Sequence, residues 1–230
     1  MSINEVEMKE KEGMEVQHRN FQAAVLILCV VSGLVDVLGY IGLAHVFTAN
    51  MTGNIVLLGI GLGDARQVVI SNALFALLGF VIGILATKIV GKEKGEPRRI
   101  VFAEFVWLTI IALCVLFVPA SSIWSIVLLV SLSAAMGMQT IAGRNMKVAG
   151  VSSTVLTSTL AAFVEGIADW VTRRSQSMVD TYLRGAAILL YLLGAALGSF
   201  SERMIGLHSL WVAVILLFAA FLLQKEKSIA

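Results

Sequence analysis

The 17 lysines and arginines of this chain fall almost entirely between its long apolar stretches, and their distribution restricts how the polypeptide can thread a lipid bilayer. Apolar runs near 21–46, 67–90, 100–118, 122–142, 180–200 and 206–224 are each about 20 residues, the length that covers roughly 30 Å of hydrocarbon at about 1.5 Å per residue. Two shorter, polar-led segments, Asn50 to Gly63 and Ser152 to Ala168, remain between them. If these two dip into the bilayer without crossing it, and the N-terminus is inside, 15 of the 17 basic residues gather on the cytoplasmic side and only Arg66 and Arg203 lie outside. If both cross, the split is 9 to 8, which violates the positive-inside rule. Six spans with two re-entrant or broken half-helices is therefore the expected topology, both termini being cytoplasmic.

Composition agrees with a membrane domain. Hydrophobic residues make up 58% of the chain and charged ones 14%, with mean hydropathy +0.91; a soluble fold could not cover that much apolar surface. The expected fold is an all-α polytopic membrane protein: a polar cytoplasmic tail over 1–20, one membrane domain over 21–224 and a short cytoplasmic tail over 225–230. The first 20 residues mix five glutamates with Lys9, Lys11 and Arg19 and lack the basic start and apolar centre of a signal peptide. No basic patch is interleaved with aromatics, so nucleic acid is not an expected partner. Cys29 and Cys114 both stand in apolar runs and read as small core residues. No cofactor box or metal-ligand spacing is present.

Cutting the chain at residue 120 leaves two halves of one plan: span, short polar segment, span, span. LLGFVIGILATK (77–88) and LLGAALGSFSER (192–203) align at an offset of 115. TANMTGNIVLLG (48–59) and VAGVSSTVLTS (148–158) are both hydroxyl- or amide-rich lead-ins to an apolar half-helix. With three spans per half, a duplication places the second half (122–224) upside down relative to the first (21–118). Such inverted repeats, with broken helices meeting near the midplane, recur in transporters.

The chemistry concentrates in the short segments. Asn50, Thr52, Gly53 and Asn54 precede an apolar run too short to cross; amide and hydroxyl groups supply donors and acceptors, and Gly admits close backbone approach. Ser153, Thr154 and Thr157 offer a second hydroxyl-lined surface, though such residues also hydrogen-bond neighbouring helices. Asp36 is the one carboxylate of the first span, where an ionised group is costly unless paired or wetted. Gln139, Arg144 and Asn145 cluster where the fourth span leads into the second short segment. Glu165, Asp169 and Arg173 share one helix face as a self-compensating set, and His45 and His208 fall near the outer boundary. The pairs Gly79/Gly83 and Gly194/Gly198 read as close-packing faces, including a possible interface with a second copy.

FTANMTGNIVLLGIGLGD (47–64), with GLVD (33–36) before it and GMQT (137–140) and STVLTST (153–159) downstream, resembles the YoaK-like family of bacterial inner-membrane proteins. The resemblance covers roughly residues 21 to 224, and Asn50-x-Thr-Gly-Asn54 is its most specific part. It implies an inner-membrane location and a multi-pass topology, and brings no substrate with it.

The expected function is a transporter or channel for a small polar or ionic solute, with a pathway between the two short helices lined by Asp36, Asn50, Thr52, Gly53, Asn54, Gln139, Ser153, Thr154 and Thr157. Helix N-termini favour an anion or electronegative oxygen there, whereas Asp36 favours a proton or cation. An enzyme is not expected: no Gly-x-Ser-x-Gly elbow, His-Glu-x-x-His site or pair of span-centre aspartates is present. The alternative is a non-transporting scaffold whose polar segments only pack helices together.

Overall fold

The computed structural model describes residues 3–90, 96–117, 121–148, 151–154, 156–173 and 178–224, and the regular structure within them is helical. The α-helices are α1 (Ile3–Val37), α2 (Met51–Gly63), α3 (Gln67–Val90), α4 (Pro97–Phe117), α5 (Ser122–Asn145), α6 (Leu156–Val171), α7 (Val179–Ile205) and α8 (Leu210–Leu223). Helix α1 continues into a π-helical stretch, Leu38–Ala44, and a 3-10 turn, Gly206–Ser209, joins α7 to α8. Residues 91–95 and 118–120, between the expected spans, and the expected C-terminal tail at 225–230 lie outside the described residues.

Five helical runs are long and apolar enough to cross a membrane: Lys11–Ala44, Gln67–Ile89, Pro97–Phe117, Ser122–Asn145 and Val179–Leu223. The last holds two helices, because Gly206 adopts φ 59°, a left-handed conformation that Gly takes without steric cost. Helix α2 is apolar but has only 13 residues, roughly 20 Å of rise. Residues 3–20, expected as a polar extension, are helical and continuous with α1.

Small residues set the packing. Helix α1 packs chiefly on α7, α3 on α5, α4 on α5 and α8, α2 on α3 and α6 on α7. A methyl added at Gly79 or Gly83 would overlap the backbone of Val130 or Ala134, and one at Gly194 or Gly198 would strike Val30 or Leu34. Both expected glycine faces are therefore filled within the chain, which corrects their assignment to an interface with a second copy: backbones this close leave no surface for a further helix. Outward, α3 exposes Leu74, Leu78 and Leu85, and α7 exposes Leu189, Leu192, Leu193 and Phe200. Small-inside, leucine-outside is the arrangement lipid favours, since hydrocarbon solvates leucine as well as a protein core does and close backbone contact must supply the association.

The same contacts give directions. Val30 meets Gly194 and Leu34 meets Gly198, so α1 and α7 run parallel; Val130 meets Gly79 and Ala134 meets Gly83, so α3 and α5 do too. Phe102 packs on Phe221 and Phe105 on Phe218, with ring centroids 5.1 and 5.3 Å apart, so α4 and α8 are antiparallel. At one end of the molecule, Gln17 and Phe21 of α1, the start of α4 and the end of α8 line a common pocket of about 650 Å³. At the opposite end, Leu43 and Ala44 join the starts of α3 and α5 around a pocket of about 510 Å³. Helix α2 thus leaves and returns at the end where α1 stops and α3 begins.

Candidate functional site

The stretch that enters α2 is built around two buried side chains. His45, in the left-handed region at φ 54°, turns the chain away from the π-helical stretch. Asp36 then gathers the residues leading into α2: its Oδ1 accepts from the backbone N–H of Thr48 (2.8 Å), Ala49 (2.6 Å) and Asn50 (3.4 Å) and from the Thr48 hydroxyl (3.1 Å). Its Oδ2 accepts from the Tyr191 hydroxyl of α7. Asn54, fully buried on the first turn of α2, reaches back seven residues and closes both polar groups of Phe47: the Phe47 N–H donates to Oδ1 at 2.8 Å and Nδ2 donates to the Phe47 carbonyl at 2.6 Å. Asn50 caps α2 by accepting from the Gly53 N–H at 3.2 Å, as N-cap residues do. Tyr40 stacks on Phe47, centroids 5.1 Å apart, and covers the turn.

The stretch that enters α6 repeats this plan with neutral groups. Lys147, also left-handed at φ 52°, turns the chain after α5. Thr159, buried on the first turn of α6, accepts from the N–H of Ser152, seven residues earlier, at 3.2 Å. Where Asp36 ties its stretch to α1, Thr140 ties this one to α5 through a 2.9 Å hydroxyl pair with Thr154. The Ser153 hydroxyl, 1% exposed and tucked against Gly143, has no hydrogen-bond partner among the described residues. Between the two stretches, Gln139 of α5 donates to the Leu28 carbonyl (3.0 Å) and Ser32 hydroxyl (2.6 Å) of α1, and its Oε1 is buried without a partner among the described residues.

Of the expected site residues, Asp36, Asn54, Gln139, Ser153 and Thr154 are buried, Gln139 at the α1–α5 contact. Gly53 is half-buried against the Phe47 ring, while Asn50, Thr52 and Thr157 are exposed on the short helices. Neither end pocket is lined by Asp36 or Gln139. Arg144 is exposed and does not approach Asp36 in an ion pair; the ion pairs among the described residues are Arg66–Asp64 and Arg99–Glu96. No metal-holding cluster of His, Cys, Asp or Glu occurs among the described residues.

Three functional groups escaped the sequence reading. Tyr191 and Ser32 gave no signal, since they acquire partners 155 and 107 residues away. Glu104 did carry one: it is the lone acid inside the apolar part of α4, the same criterion that singled out Asp36. It is fully buried, and neither carboxyl oxygen has a partner among the described residues.

These features define a polytopic α-helical membrane protein with two short helices among its long ones. The chain belongs to the family described as "Protein of unknown function (DUF1275)", which it matches over residues 24–223. It is similar to the UPF0700 transmembrane protein YoaK of Bacillus subtilis (strain 168), 39% identical over 213 residues that cover 87% of this chain and 92% of that protein. No solved structure matches it.

Proposed function

We propose that this protein is an inner-membrane transporter or channel for a small polar or ionic solute, built as an inverted repeat. In this reading α1, α3, α4, α5, α7 and α8 cross the bilayer, α2 and α6 do not, and both termini face the cytoplasm. Helix partnership supports the repeat, because exchanging α1–α4 for α5–α8 maps α1–α7 packing onto α5–α3, α1–α8 onto α5–α4 and α2–α3 onto α6–α7. The backbone supports it independently. The four non-glycine residues with positive φ among those described are His45 and Ala65, which bracket α2, and Lys147 and Arg173, which bracket α6; such conformations are uncommon outside Gly.

The observation that carries the functional reading is the pair of interrupted stretches, 45–50 and the described residues 146–148 and 151–154, held inside a membrane domain by buried polar side chains. Non-helical backbone is tolerated at membrane depth where protein buries it or where it lines a water-filled path. Two such stretches, inverted about the Ser32–Gln139 link, form the kind of site around which repeats rock in alternating access. Catalysis is not part of the reading: the central residues are amides, hydroxyls and one carboxylate whose oxygens are engaged in five hydrogen bonds.

The scaffold reading has one observation in its favour. Asp36 and Asn54 spend their bonding capacity on the chain's own backbone, as packing residues would. Water access separates the two. With Cys29 and Cys114 changed to Ser, single cysteines at Thr52 and Ser153 should react with membrane-impermeant thiol reagents, position 52 from outside and position 153 from the cytoplasm. Protection of both from both faces would favour the scaffold.

A further inference from the structure

The polar centre does not account for Glu104. It stands seven residues into α4, about 10 Å from the helix start at about 1.5 Å per residue. It shares a face with Val101, Leu108 and Ile111, all in the hydrophobic core, and is 0% exposed. Both carboxyl oxygens lack partners among the described residues, although an ionised group in such surroundings is held only by a compensating charge.

Among the described residues, the elements packed on α4 supply no such charge. Helix α8 carries no titratable side chain between Leu210 and Leu223. Helix α5 carries only Arg144, exposed in its last turn; α3 carries Lys88, also exposed in a last turn, and the 3-10 turn carries the exposed His208. On α4 itself, Arg98 lies over the Phe221 ring at 4.6 Å and Arg99 pairs with Glu96 at 2.6 Å.

A metal ion does not fit either, because alkali and alkaline-earth cations need several oxygen ligands and the same face of α4 is aliphatic. A proton needs a single lone pair. At the end where α4 begins, a pocket of about 650 Å³ is lined by Gln17, Arg98, Ala103 and Gln224; Glu104 lies just beyond it along α4 and is closed off from it in this structure. Gln224 Oε1 and Arg98 Nε are themselves buried without partners among the described residues.

We propose that Glu104 is an exchangeable proton site inside the membrane domain, reached from the aqueous end at which α4 begins. Resting on the transport reading, it is the residue through which proton binding couples to the movement of solute. The carboxyl takes one proton from water and returns it to water, with no other reactant.

The test uses dicyclohexylcarbodiimide, a membrane-permeant reagent that adds the O–H of a protonated carboxyl across its C=N bond and rearranges to a stable N-acylurea. The full-length protein in proteoliposomes should carry this adduct at Glu104 by peptide mass spectrometry. Its yield should fall as pH rises from about 5 to about 9, a range chosen to cover strongly perturbed carboxyl groups. When the two faces are held at different pH, the yield should follow the face bearing Arg99. Glu104→Gln should lose the adduct from that peptide. A wild-type adduct whose yield ignores pH would mark a permanently protonated packing group and overturn the proposal, as would no adduct at any pH. A yield that follows the opposite face would overturn the access route. The label reports proton binding alone, so failure of the thiol-access experiment would remove the coupling and leave the site.

Discussion

Replacing Tyr191 with Phe removes one hydroxyl and leaves Asp36 Oδ2, on a side chain only 3% exposed, without its donor. A buried polar group so deprived costs about 1–3 kcal/mol, so Tyr191→Phe should lower the melting temperature of the detergent-solubilised protein measurably. Asp36→Ala should lower it further, because it strands the N–H groups of Thr48, Ala49 and Asn50 together. Unchanged melting in both would mean that the chain before α2 is held by something other than Asp36. At this scale the sequence was half legible. A lone acid in an apolar run is visible without a structure, which is how Asp36 was found and how Glu104 should have been. What the acid does is not visible, because its partners are backbone N–H groups in a turn and a tyrosine far along the chain. Asn54 shows the same limit: its amide suggested a solute contact, and the structure closes it onto Phe47.

At the level of elements, the glycines divide into two kinds that a sequence cannot tell apart. Gly83 of α3 faces the backbone of Ala134, whereas Gly59 of α2 has nothing within 4 Å of where a Cβ would lie. Gly83→Ala should therefore push α3 from α5 and destabilise the protein, while Gly59→Ala should be neutral or stabilising by up to about 1 kcal/mol from helix propensity. Thermal melting of the two variants side by side tests this, and equal effects would contradict the packing described. Apart from the start of α1, which lies at Ile3 rather than near residue 21, the long helices were legible to within a few residues, since length and apolar content fix them. The short ones were legible as interruptions, α2 in its bounds as well but α6 not. Expected from Ser152, α6 begins at Leu156, because Ser153 and Thr154 are drawn inward to Gly143 and Thr140 and cannot also join a helical turn. The glycine pairs were seen as packing faces, and only the three-dimensional arrangement says that they pack within one chain.

Across the whole molecule, the distribution of basic residues and the direction of the helices bear independently on one topology. The charges come from sequence alone and favour six crossings. The directions come from side-chain contacts: α1, the start of α4 and the end of α8 share one end, while the end of α1 and the starts of α3 and α5 share the other. Under the inverted repeat, α2 dips from the outer face and α6 from the inner one. The sidedness of the two loops beside the short helices decides the matter most directly. Single cysteines at Arg66 and Lys147, in a cysteine-free background, would be probed with impermeant reagents on intact and everted vesicles. The inverted repeat predicts that position 66 reacts only from outside and position 147 only from the cytoplasm. Full crossing by both short helices would reverse both results, placing position 66 inside and position 147 outside, and would contradict the account.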